Sequence, residues 1–211
     1  MFPSRSALIF VFAAVLIGTL MSLNASAQSI GIGAEIGAPL TDSFTGNSFA
    51  NSLTTSLARR YTVGPSFEYM ANEHFGFEAD ALYRHSGYKQ DLIVVGSQTN
   101  MNSWEFPFLG KAAIPGQSIG VFADGGLALR YLQGSTTYSG LGTNLLNQPV
   151  SFSDPWSRGI VAGGGVSMKV GSLYLEPKLR YTRWILGNSS VPAFFSNPNQ
   201  FEYLLGVRFK N

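Results

Sequence analysis

Residues His74–Arg84 read HFGFEADALYR, and polarity switches along them with a period of two. Phe75, Phe77, Ala79, Ala81 and Tyr83 share one parity, and Gly76, Glu78, Asp80, Leu82 and Arg84 share the other. Successive side chains therefore point to opposite faces, which defines a strand with one apolar and one charged face. Comparable segments occur at Ile30–Ala38, Arg60–Met70, Ser103–Ile114, Ser118–Tyr131, Gly159–Val170, Leu173–Trp184 and Gln200–Phe209. Their connections alternate between long polar stretches and short turns at 71–73, 115–117 and 171–172. The short ones carry turn residues such as Asn, Pro and Gly. Eight strands joined this way form an up-and-down antiparallel meander, and closing it into an all-β barrel removes both exposed edges. The short turns and both termini then lie at one end, with the long connections at the other.

The first 27 residues carry a separate signal. Arg5 precedes an apolar run, Ala7–Met21, and Ala25-Ser26-Ala27 fits a small-residue cleavage site. This predicts a cleaved signal peptide over residues 1–27 and an exported domain over 28–211. That domain contains no second apolar run long enough for a transmembrane helix. The chain has no Cys and two His, which excludes disulfides, thiol chemistry and thiolate metal sites and argues against a His-rich metal centre. A net charge of +2 gives no reason to expect nucleic acid as a partner.

Two barrels alternate in this manner. A lipocalin-like soluble barrel turns its apolar face inward around a ligand, whereas an outer-membrane barrel turns that face to lipid and keeps charge in the lumen. Three features favour the second. The charged face holds Glu35, Glu68, Glu78, Asp80, Glu105, Asp124, Glu176 and Glu202, balanced in number by Arg84, Lys111, Arg130, Lys169, Lys178, Arg180, Arg208 and Lys210. An enclosed lumen needs such compensation, because unpaired charge out of water is costly. Aromatic residues bracket the apolar face: Tyr61 and Tyr69, Phe75 and Tyr83, and Phe201 and Phe209 are each eight residues apart, with Trp104 and Tyr131 at the long-connection end. Eight residues of tilted strand cover roughly 20 Å of height, near the ~25 Å apolar band of such barrels. Finally, short turns opposite long polar loops are the outer-membrane pattern. Pro65, Pro107 and Pro177 run against it, since proline cannot donate to a ladder and a closed barrel has no free edge. Bulges or distorted pairings are expected at each of them.

Trp104–Lys111 (WEFPFLGK), the Gly-rich Gly159–Val166 (GIVAGGGV) and Leu175–Tyr181 (LEPKLRY) resemble segments of the bacterial outer-membrane β-barrel domain family. Within it the chain is similar to the small eight-stranded barrels built like outer-membrane proteins A and X. Tyr203, Leu205, Val207 and Phe209 resemble the terminal signal read by the barrel-assembly machinery, although Lys210 and Asn211 follow the final aromatic. The resemblance implies an outer-membrane protein surrounded by lipid, with periplasmic termini and extracellular long loops. It implies no particular activity.

The charged face is expected to form a structural lumen network, with no catalytic, cofactor or metal site. The leading functional reading is a non-enzymatic barrel with structural and surface-interaction roles. The alternatives are a narrow ion or small-solute channel and a secreted lipocalin-like binder. The lumen glycines, Gly31, Gly33, Gly37, Gly64, Gly76, Gly126, Gly163 and Gly165, are read as points of close backbone approach. Apolar residues inside polar connections (Tyr138, Leu141, Leu145, Leu146, Phe152, Trp156, Phe194 and Phe195) are candidates either for loop packing or for contact with an extracellular partner. His85 has the parity of a lipid-facing esterase residue, but the adjacent Ser86 must point to the other face.

Overall fold

In the computed structural model, residues 29–41, 44–45, 53–56, 60–91, 95–140, 143–149, 154–185 and 195–210 are described, and the predicted signal peptide lies outside them. Thirteen strands follow in order: β1 (Ser29–Pro39), β2 (Phe44–Thr45), β3 (Leu53–Ser56), β4 (Tyr61–Met70), β5 (Phe75–Asp80), β6 (Leu82–Asp91), β7 (Val95–Ile114), β8 (Ile119–Gly140), β9 (Thr143–Pro149), β10 (Trp156–Val170), β11 (Leu173–Ile185), β12 (Phe195–Ser196) and β13 (Asn199–Lys210). β5 and β6 together make one stave. The ring runs β1, β4, β5 with β6, β7, β8, β10, β11 and β13, and closes where β13 pairs with β1 from Gly31↔Lys210 to Pro39↔Glu202. Every pairing is antiparallel, as the eight-stranded meander requires.

The alternation seen in the sequence becomes inside and outside. Arg208 is 0% exposed, whereas its neighbour Phe209 is 63% exposed. Glu35, Glu68, Glu78, Asp80, Arg84, Glu105, Lys111, Asp124, Arg130, Glu176, Lys178, Arg180 and Glu202 are likewise buried. Ile32, Phe75, Phe108, Leu127 and Leu179 face outward and are exposed. A lipocalin-like barrel needs the reverse arrangement. This burial excludes it, because a soluble protein does not sink its charges while wetting a continuous apolar wall.

Two boundaries differ from those expected. The 85–102 and 132–158 connections are largely sheet: β6 continues to Asp91, β7 begins at Val95, and β8 continues to Gly140. Beyond the barrel rim, β7 and β8 stay paired from Ser103↔Leu132 to Val95↔Gly140. That ribbon rises about 30 Å along the strand direction past Trp104. Ser, Thr, Asn and Gln alternate there with few apolar residues, so hydropathy loses its period although pairing persists. Trp156 opens β10 and Tyr138 lies within β8, so neither is a loop residue. Leu141, Phe152 and Phe194 lie outside the described residues.

The three prolines occupy interruptions of the ladders without any slip in register. β4 pairs Ser66↔Asp80 and Val63↔Tyr83, so Pro65 falls opposite Ala81, where β5 ends and β6 has not begun. Ala81 N–H donates to the Pro65 carbonyl at 3.0 Å. A hydrogen-bonded antiparallel pair normally exchanges two such bonds, and Pro65 has no N–H to return. From the other side, β7 pairs Ala79↔Phe108 and Leu82↔Glu105, which puts Pro107 opposite Asp80. Two prolines thus flank one break. Pro177 lies in the corresponding gap of the β10–β11 ladder, between Gly165↔Lys178 and Met168↔Leu175.

Glycine on the inward face lets the backbones close at these places. A Cβ on Gly64 would lie 1.9 Å from the Ala81 carbonyl oxygen. Gly64→Val should therefore block closure of the barrel, leaving most of the protein at the unfolded position on an unheated SDS gel. Gly110→Ala, whose added carbon meets only the Gly125 carbonyl at 3.7 Å, should retain the folded band.

Candidate functional site

The lumen is the most organised polar site. Near the turn end, Lys111 Nζ pairs with Glu68, with Glu176 at 2.8 Å and with Glu78 at 3.7 Å. Lys210 Nζ pairs with Glu68 at 2.6 Å and Glu176 at 2.8 Å. Above them, the Arg208 guanidinium bonds Glu176, Glu68 at 3.3 Å, Glu35 at 2.9 Å, Glu78 at 2.6 Å and Ser66 Oγ at 2.8 Å. Lys178 bridges Glu35 and Glu78, and Arg180 Nη2 reaches Asp80 at 2.8 Å, Glu78 at 3.2 Å and Glu35 at 3.5 Å. Nearer the long-connection end, Arg84 pairs with Glu202 at 2.8 Å and Glu105 at 3.4 Å, and it donates to Gln200 at 2.6 Å. Trp184 Nε1 also donates to Gln200, and Thr62 Oγ1 donates to Glu202.

Local register explains how long side chains fit in a narrow bore. Glu35 and Glu176 both lie opposite Gly206, Glu68 lies opposite Gly31, and Lys111 lies opposite Gly76. Glu68 and Glu176 use the space that Gly31 and Gly206 leave free, their Cβ atoms 3.3 and 3.5 Å from where a glycine Cβ would stand. Glu68 and Glu78 are directly paired like charges. Such a pair is destabilising alone, and here Lys111 and Arg208 sit between the two. The acidic triads Glu35–Glu78–Asp80 and Glu68–Glu78–Glu176 have the spacing of a cation site. Lys111, Lys178, Arg180 and Arg208 already supply the positive charge there.

Not every inward charge joins the lattice. Lys169 is exposed at the turn end, with Nζ 6.0 Å from the Tyr174 ring centre. Asp124 is buried between Lys111 and Gly163, and neither carboxylate oxygen has a hydrogen-bond donor among the described residues. Arg130 lies over the Trp184 ring at 4.1 Å rather than on a carboxylate. Trp184 also packs with Leu109, Ala128 and Val161, an apolar plug beside the ions. Sequence reasoning missed Thr62, Ser66, Trp184 and Gln200. Their inward parity is the signal that finds them, since an uncharged side chain on the charged face reaches the lumen as well.

Outside, aromatics form the girdle at the long-connection end. Tyr61 contacts Tyr83 at 6.3 Å, and Tyr83 contacts Trp104 at 5.5 Å. Tyr131 meets Trp156 at 5.0 Å, and Tyr181 meets Phe201 at 4.8 Å. Tyr69, Phe75 and Phe209 stand near the turn end. His85 joins the girdle, its ring stacked on Tyr61 and its Nδ1 2.7 Å from Asn102 Oδ1. Ser86 is buried on the lumen side, so the two do not assemble a nucleophilic pair.

A closed antiparallel ring with a charged lumen, an apolar outer wall and an aromatic girdle defines a transmembrane β-barrel. Residues 26–188 match the family described as outer membrane protein beta-barrel domain, and the chain belongs to that family. The structure resembles the outer membrane protein OprG of Pseudomonas aeruginosa, with a TM-score of 0.50 and 15% identity over 88% of this chain and 96% of that one. Neisserial surface protein A matches at TM-score 0.49 and 18% identity, covering 88% and 98% of the two chains. Ail, the attachment invasion locus protein of Yersinia pestis, matches at TM-score 0.43 and 10% identity, covering 87% and 97%. No curated protein sequence matches. At these identities the likeness concerns the fold.

Removing Arg208 leaves four buried carboxylates short of a shared cation. Arg208→Met should cost about 3–5 kcal/mol, as breaking a buried pair does. The loss should appear as a lower urea midpoint for conversion of the folded to the unfolded gel band. Lys169→Met should leave that midpoint unchanged.

Proposed function

We propose that this outer-membrane protein acts without catalysis, as a structural barrel that presents its long-connection end to the cell exterior for interaction. The observation that carries the reading is the cross-lumen lattice centred on Arg208, which ties β13 to carboxylates on β1, β4, β5 and β11. Together with the plug around Trp184 it crosses the bore above a vestibule of about 270 Å³ at the turn end, lined by Ser167, Lys169, Glu176 and Lys210, and side chains nearly fill the interior of an eight-stranded barrel in any case. Solute passage would require breaking several buried ion pairs at once. The interaction surface is the β7–β8 ribbon, with Gln98, Gln133 and Tyr138 exposed on it. Both strands are already paired on their outer edges, β7 with β6 and β8 with β9, so the ribbon binds through its polar side chains rather than through free backbone or an apolar pocket. β13, with Tyr203, Leu205, Val207 and Phe209 on its outward face, is the strand offered to the assembly machinery.

Two measurements on the same preparation test this. Full-length protein in planar bilayers should give no discrete current steps; regular steps abolished in a variant of the lumen lattice would establish the channel instead. Since the chain lacks Cys, single cysteines report orientation cleanly. In intact cells an impermeant maleimide should label Gln98→Cys and leave the turn variant Gln117→Cys unlabelled until the outer membrane is permeabilised. The opposite labelling would invert the barrel.

A further inference from the structure

The outward face of the staves is almost free of charge. Among the described residues, from the turn-end aromatics to the girdle, it carries only Arg158 on β10 and Arg183 on β11, both exposed. The next outward charge, Lys89, stands well beyond Tyr83 on the β6 extension. β10 and β11 are neighbours, paired Ile160↔Arg183 and Arg158↔Ile185. The two arginines are therefore diagonal neighbours on one face, about 7–8 Å apart at the backbone. They lie at girdle height: Arg158 follows Trp156 on β10, and Arg183 follows Tyr181 on β11.

Neither arginine has an ion pair or hydrogen bond among the described residues. The nearest acid in sequence, Asp154 just before β10, instead accepts the Trp156 N–H at 3.0 Å. Two like charges at an interface repel more strongly than in water, because the dielectric there is lower. Unpaired arginine on a lipid face also becomes costlier with depth. Arginine forks match phosphate oxygens, and a phosphate monoester carries close to two negative charges near neutral pH. Two guanidinium groups match that charge.

The wall below them has a matching shape. Down β10 from Arg158 the outward residues pass through Ile160 to Ala162 and Gly164, which pair with Gly125 and Ala123 of β8. Those in turn pair with Gly110 and Ala112 of β7. Six small residues on three adjacent staves lower the wall here; on β7 and β8 it opens beside Phe75 into a shallow furrow lined by Gly110, Ala112, Ala123 and Gly125, with Ile160 and Leu127 standing between that furrow and the arginines.

We propose that Arg158 and Arg183 dock the phosphate monoester of an outer-leaflet lipid, whose acyl chains run down the apolar wall toward this furrow. The inference rests on the orientation proposed above, with the long-connection end outside the cell.

The test uses full-length protein in phosphatidylcholine nanodiscs doped with either bisphosphoryl or dephosphorylated lipid A, with bound lipid read by native mass spectrometry. Retention of the phosphorylated form should exceed that of the dephosphorylated form by about tenfold, the value of one charged hydrogen-bonded contact. R158Q/R183Q should abolish the preference while keeping the folded gel band, and R158K/R183K should retain part of it. Equal retention of the two lipids, or an unchanged preference in R158Q/R183Q, would overturn the site. Complete displacement by inorganic phosphate would assign it to a free anion, and a second copy of the chain in place of lipid would assign the furrow to self-association; either overturns the lipid. If the maleimide labelling inverts while phosphate-selective retention persists, the orientation has failed rather than the site.

Discussion

Arg208 holds carboxylates from four other strands in a space with no bulk water. Charge on the lipid-facing wall is costly, so each stave that turns Glu or Arg inward needs a counter-charge across the bore. The partners of Arg208 are far apart in sequence, Glu35 and Glu68 on the first two staves and Glu176 on the next to last. They meet only when the ring is closed in this register. The lattice thus specifies the register as well as neutralising the charges. A one-residue slip would send every buried carboxylate of the slipped stave into lipid.

The outer wall obeys the complementary constraint. Ile32, Phe75, Phe108, Leu127 and Phe209 gain nothing from water and everything from acyl chains. Tyr61, Tyr83, Trp104, Tyr131 and Trp156 are amphipathic and settle where the two media meet. Seen this way the two faces of His74–Arg84 have one explanation. Phe75 and Tyr83 mark the two interfaces of a single stave, and Glu78, Asp80 and Arg84 reach partners on β11 and β13.

Much of the barrel could be read from the chain, because a half-buried strand writes its burial into parity. Glu35, Glu68, Glu78, Asp80, Arg84 and Glu176 were identifiable as inward residues for that reason. Parity fails where both faces are alike. The ribbon at 95–103 and 132–140 carries Ser, Thr, Asn and Gln on both faces, so its strands give no hydropathy signal even though Thr99, Met101 and Ser103 are buried. Parity also cannot show pairing across the bore: nothing in the sequence distinguishes Lys169, which stays outside the lattice, from Lys178, which bridges Glu35 and Glu78. The prolines looked like exceptions because the ladder was imagined as continuous. Pro65 and Pro107 flank one shared interruption at Asp80–Ala81, and Gly64 lets the strands close over it.

The lumen takes the ion lattice and the apolar wall faces lipid, and the three tryptophans divide cleanly between the two sides. Trp104 and Trp156 are 42% and 49% exposed on the outer wall, and Trp184 is 2% exposed inside. Single-tryptophan variants in vesicles of brominated phosphatidylcholine measure this directly. The fluorescence of Trp104 and of Trp156 should be strongly quenched by the brominated acyl chains, with Trp184 left bright. Quenching of Trp184 equal to that of Trp104 would contradict the inside-out arrangement on which the rest of the structure depends.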